Sequence, residues 1–123
     1  MRKLSLFLAV FLCLSLAGCR APFAGDERIG GYRGINEASA YSFTLREDGN
    51  GVFSFASALG FTEEEPLFFT FDGDVLLLSG DRSGAVLGGG EYSGDVVLTG
   101  NGYAVTLTNL SDGIILGTFL QIQ

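Results

Sequence analysis

From residue 29 onward the chain alternates apolar and polar positions with a period of two. Tyr41, Phe43 and Leu45 fall on one side, with Ser42, Thr44 and Arg46 on the other. Leu67, Phe69 and Phe71 repeat the pattern, as do Tyr103, Val105 and Leu107 against Ala104, Thr106 and Thr108. Such alternation belongs to half-buried strands, whose successive side chains point to opposite faces. Between the runs stand Asp48-Gly49-Asn50-Gly51, Asp72-Gly73, Ser93-Gly94, Asn101-Gly102 and Asp112-Gly113. Glycine, asparagine and aspartate accept the positive φ of tight hairpins, so each of these predicts a turn. No stretch carries a helical period. Strands are predicted near 29–35, 40–47, 51–58, 66–71, 75–79, 84–92, 95–99, 103–109 and 114–121.

One internal repeat strengthens the hairpin reading. Phe71-Asp72-Gly73-Asp74-Val75-Leu76-Leu77-Leu78 aligns with Tyr92-Ser93-Gly94-Asp95-Val96-Val97-Leu98-Thr99 as one turn and its outgoing strand. Consecutive strands joined by tight turns lie next to each other and antiparallel, which predicts an all-β, up-and-down meander of eight or nine strands. An open meander exposes two edges that invite aggregation, so a small closed barrel is favoured, with a two-sheet sandwich as the alternative. Gly88-Gly89-Gly90 fits either a sharp bend inside the strand at 84–92 or a loop. Inward Phe43, Phe53, Phe55, Phe69 and Phe71 would fill a barrel of about eight strands, whose interior is only just wide enough for side chains.

The first nineteen residues read differently. Arg2 and Lys3 precede a nearly continuous apolar run from Leu4 to Ala17. That run is too short for a bilayer, which needs about 20 residues, and has the anatomy of a secretory signal peptide. Leu16-Ala17-Gly18-Cys19 resembles the lipobox of bacterial lipoproteins at all four positions. The resemblance implies a signal peptide over 1–18, recognition of Leu16, Ala17 and Gly18 by signal peptidase II, and a diacylglyceryl group on the Cys19 thiol. Two or three acyl chains hold a protein on a membrane far more firmly than one. Arg20 stands where an Asp marks inner-membrane retention in enteric lipoproteins, so in a Gram-negative host the outer membrane is favoured. Residues 19–28 then form a lipidated tether, whose flexible coil would span roughly 15–20 Å, and 29–123 the barrel domain.

Gly30-Gly31-Tyr32 at the first strand, with the serial hairpins after it, is similar to the small lipocalin-like lipoproteins of bacteria. Tyr32 stands where true lipocalins carry Trp. The resemblance implies a barrel that binds a small apolar ligand.

Charge and composition narrow the chemistry. The whole chain carries a net charge of −7; without residues 1–18, five arginines, no lysine and fourteen acidic residues remain, a net charge of −9. That argues against nucleic acid, whose binding needs a basic footprint. The chain has no histidine, so neither Ser nor Cys has its usual activating base. Carboxylate pairs could serve glycoside hydrolysis, yet Asp48, Asp72, Asp74, Asp95 and Asp112 adjoin glycine in predicted turns, where aspartate bonds local backbone. Asp72-Gly73-Asp74 and Gly88-Gly89-Gly90-Glu91 match no calcium-loop spacing. The expectation is a non-enzyme without cofactor or metal. Glu63-Glu64-Glu65 before Pro66 is the one run of like charge; such runs are usually solvated loops, and this one is the candidate rim for a cationic partner. Two functional classes stay open: a protein-binding or structural module, such as an inhibitor of a cationic envelope enzyme or an assembly accessory, and a lipocalin-like binder of a small apolar ligand.

Overall fold

Eight antiparallel strands joined in chain order close into one barrel in the computed structural model, which describes residues 21–57 and 59–122. The expected signal segment and lipobox lie outside the described residues. The strands are β1 (Gly30–Gly34), β2 (Tyr41–Leu45), β3 (Asn50–Ala56), β4 (Thr62–Asp72), β5 (Val75–Gly80), β6 (Glu91–Thr99), β7 (Gly102–Asn109) and β8 (Ile115–Gln121). A single 3-10 turn, Asn36–Ala38, links β1 to β2. Closure comes from β1 pairing with β8, Tyr32 opposite Gln121, Arg33 opposite Leu120 and Gly34 opposite Phe119. The sandwich alternative is thereby excluded.

Alternation puts one residue in two inside. Tyr32, Phe43, Leu45, Phe53, Leu67, Phe69, Leu76, Leu78, Val105, Leu107 and Phe119 form the buried core. Thr44, Glu64, Thr70, Asp95 and Thr106 face outward. The Tyr32 ring stacks on Phe43 with centroids 5.0 Å apart, and Phe43 meets Phe119 at 4.9 Å. Phe43, Phe53 and Phe69 are buried as expected, whereas Phe55 and Phe71 are half-buried.

Two expectations are corrected and one open choice is decided. Of the strand predicted at 84–92 only residues 91 and 92 are strand, and they run on with 95–99 as β6, so the count is eight. Gly88-Gly89-Gly90 belongs to the connection over residues 81–90 and not to a strand. Ser93-Gly94 is no turn, because Gly94 lies inside β6 opposite Leu76 of β5. A Cβ on Gly94 would come within 2.1 Å of the Thr106 carbonyl oxygen, so this glycine marks a close approach of two backbones. Gly73, its counterpart in the repeat, has φ 64° in the tight β4–β5 turn. The repeat is one of sequence, with its glycines used for different physical reasons.

The barrel has two unlike ends. At the near end lie residues 21–29, the β2–β3, β4–β5 and β6–β7 turns, and Ile122. At the far end lie the 3-10 turn and the connections 57–61, 81–90 and 110–114.

Candidate functional site

The near end is covered by residues 21–29, of which 21–28 belong to the expected flexible tether. The Phe23 N–H donates to the Glu47 carbonyl at 2.9 Å. Its ring stacks on Phe69 at 4.9 Å and meets Phe71 edge-on at 5.6 Å. Arg28 completes the strap: its Nε and Nη2 donate to the Asp26 carboxylate at 2.9 and 2.6 Å, and its Nη1 donates to the Gly73 carbonyl at 2.8 Å. The same guanidinium lies 3.8 Å from the centroid of the Phe71 ring. Charge-assisted, forked bonds of this kind fix geometry well. The Arg28 side-chain bonds hold the Asp26 carboxyl below the usual carboxylate range. A coil would leave Phe23 in water; the ring faces of Phe69 and Phe71 give it a better place.

The far end is closed by the connection 81–90. Leu87 is buried there, over Gly80 of β5. Glu65 faces inward from β4, only 8% exposed, and its carboxylate accepts the Val86 N–H at 3.0 Å and the Leu87 N–H at 2.7 Å. A buried carboxylate must be hydrogen-bonded, and these backbone donors satisfy it. Ala38 of the 3-10 turn is buried beside Gly34 and Gly117.

The three glutamates therefore do not form one rim. They continue β4 and are not the predicted loop, and period two splits them. Glu63 pairs with Phe55 and Glu64 with Ser54 at the far end of the β3–β4 hairpin, both exposed, while Glu65 is enclosed. Beside the two exposed glutamates, Leu59 and Phe61 crown the same hairpin in solvent. Leu110, Ile114 and Ile115 are exposed at the β7–β8 connection of the same end.

The aspartates of the predicted turns do local work in part. Asp48 accepts the Asn50 N–H at 2.9 Å and Asp112 the Ile114 N–H at 2.9 Å. Asp95 sits instead within β6, opposite Val75. Asp72 and Asp74 are at the near end and Glu91 at the far end, and no three acidic side chains converge on a metal-sized site among the described residues. Cys19, Leu16, Ala17 and Gly18 lie outside the described residues.

A depression of about 590 Å³ lies on the outer wall, bordered by Val75, Gly94, Val97 and Thr106. The apolar inside and mainly polar outside are the reverse of a membrane-spanning barrel, whose outer band is apolar. No family model, curated protein or solved structure matches this chain.

Phe23, Arg28 and Leu87 were not singled out by pattern. Phe23 stands in a segment with no period, and Leu87 is isolated among small residues. The exposed Val97 and Leu98 did carry a signal: Val96-Val97-Leu98 is a continuous apolar run in a two-faced strand, so one member must point outward.

Proposed function

We propose that this chain is a non-enzymatic, lipid-anchored module of the bacterial cell envelope that works by contact with another protein. The outer membrane is its place in a Gram-negative host. One observation supports protein contact over small-molecule capture: the barrel interior is packed with aromatic and aliphatic side chains, and Phe23 and Leu87 cover its two ends. A carrier of an apolar ligand needs a hollow of several hundred Å³. Opening the far end would require the connection 81–90 to give up Leu87 and the Glu65 hydrogen bonds.

The contact we assign is the far-end tip of the β3–β4 hairpin. Leu59 and Phe61 supply apolar area, and Glu63 and Glu64 supply charge beside it. That combination fits a partner with an apolar socket and a cationic border, and the acidic domain would speed the encounter at low salt. Glu65 takes no part in it, because its oxygens are occupied within the barrel.

Titration of the domain with a fluorescent fatty acid tests the choice. No saturable uptake is expected, and Leu87→Ala should not create a site of one-to-one stoichiometry. Saturable one-to-one uptake by the unaltered domain would make the lipocalin-like carrier the better account.

A further inference from the structure

We propose that the barrel stands on the lipid surface by its near end, with Leu98 and Ile122 seated at the boundary of headgroups and acyl chains. The proposal rests on the reading of Cys19 as the lipid-bearing residue. Because the strap packs on the barrel, only Cys19 and Arg20 separate that lipid from Ala21, the first described residue. Two residues span at most about 7 Å even when extended. The strap is bonded to the β2–β3 turn through Phe23 and to the β4–β5 turn through Arg28, so the lipid leaves from the near end.

At that end two large apolar side chains, Leu98 and Ile122, stand in solvent. Leu98 is 65% exposed and Ile122 58% exposed, and both border one depression beside Thr99, Gly102 and Tyr103. Val97, Ala104 and Leu120 continue the apolar surface up the outer wall, paired in one row across β6, β7 and β8. By alternation Leu98 should point into the barrel, but the strand carries it past the last inward layer, beyond the buried Val96. Once the lipid is inserted, this contact is intramolecular, so a surface of modest affinity is enough to hold it. Glu27 borders the same depression, and the turns of this end carry Glu47, Asp48, Asp72 and Asp74, all of which would be repelled by anionic lipid. The surface it fits is zwitterionic.

The processed, full-length lipoprotein is reconstituted in phosphatidylcholine vesicles, with one introduced thiol carrying an environment-sensitive fluorophore. Cys13 leaves with the signal and the Cys19 thiol is alkylated, so Leu98→Cys, Ile122→Cys, Leu59→Cys and Ile114→Cys each offer a single label site. With acyl-chain-brominated phosphatidylcholine, labels at 98 and 122 should be quenched at least twofold more than labels at 59 and 114. Flotation with the vesicles and equal quenching at both ends would overturn the docking while leaving the anchor intact. Failure of the wild type to float would overturn the anchor, and the docking with it. Labels at 98 and 122 that are shielded from aqueous iodide yet untouched by bromine would point to a second copy of this chain, which also overturns the proposal.

Discussion

Glu65 Oε1 accepts the Leu87 backbone N–H at 2.7 Å across 22 residues, tying the one long connection of the barrel to the inner face of β4. The relationship makes a single inward carboxylate responsible for the seating of the far-end plug. Glu65→Ala strands the buried Leu87 N–H and the half-buried Val86 N–H and should cost about 1–3 kcal/mol. Glu63→Ala and Glu64→Ala, on exposed side chains, should stay within about 0.5 kcal/mol. Urea midpoints of the three variants check this, and equal midpoints would show that the plug does not depend on Glu65.

The two glycines of the internal repeat separate in the same way. Gly73 has φ 64° with nothing within 4 Å of the Cβ position, so Gly73→Asn, which tolerates that conformation, should change stability by no more than about 0.5 kcal/mol. Gly94→Asn forces a Cβ against the Thr106 carbonyl and should cost about 1–3 kcal/mol. Thermal or urea unfolding of the pair decides whether Gly94 is a strand residue pressed on its neighbour or a turn residue.

Those two positions also show how far the sequence can be read. Strand existence was legible, because period two is a direct consequence of backbone geometry and nearly every strand here is polar on one face. Closure was legible as the way to remove two edges. What a glycine is for was not: Asp72-Gly73 and Ser93-Gly94 look alike, and positive φ and close approach select the same residue. The role of Glu65 was hidden by its neighbours. A run of three acids reads as a solvated loop, and only strand parity, once β4 is known to start at Thr62, turns its last member inward. Phe23 was illegible because its partners, Phe69 and Phe71, are more than forty residues away and no period links them.

The strap carries its own test and a pH dependence. Phe23→Ala removes a half-buried ring and its two aromatic contacts, so a loss of about 1–2 kcal/mol is expected, with faster hydrogen exchange at the strap amides. The Asp26 carboxyl is held below its ordinary value of 3.8, mainly by its side-chain bonds from Arg28. A depressed carboxylate contributes stability that is present above the ordinary value and is lost as pH falls through the folded one. Strap protection should therefore hold at neutral pH and decline below about pH 4, where the unfolded carboxylate begins to take up protons. Asp48 and Asp81 are lowered as well, so the comparison is with Asp26→Asn, which should flatten the part of the acid limb due to the strap and leave theirs. An acid limb identical in wild type and Asp26→Asn would remove the Asp26–Arg28 pair from the explanation.

The anchor is the expectation on which the orientation of the barrel depends. Leu16-Ala17-Gly18-Cys19 follows an apolar run too short to span a bilayer, and Cys19 would otherwise be a lone thiol in an oxidising compartment once Cys13 is removed. Metabolic labelling with a palmitate analogue should mark the wild type, and Cys19→Ser should remain unlabelled and keep its signal segment, running larger by about 2 kDa on a denaturing gel at roughly 110 Da per residue. Leu16→Asp should slow processing without abolishing the thiol, because it damages recognition by the peptidase and leaves the acceptor atom in place. Equal labelling of wild type and Cys19→Ser would show that the acyl chains sit elsewhere or are absent. The strap would then no longer be held within two residues of a membrane, and the apolar area around Leu98 and Ile122 would need a different cover.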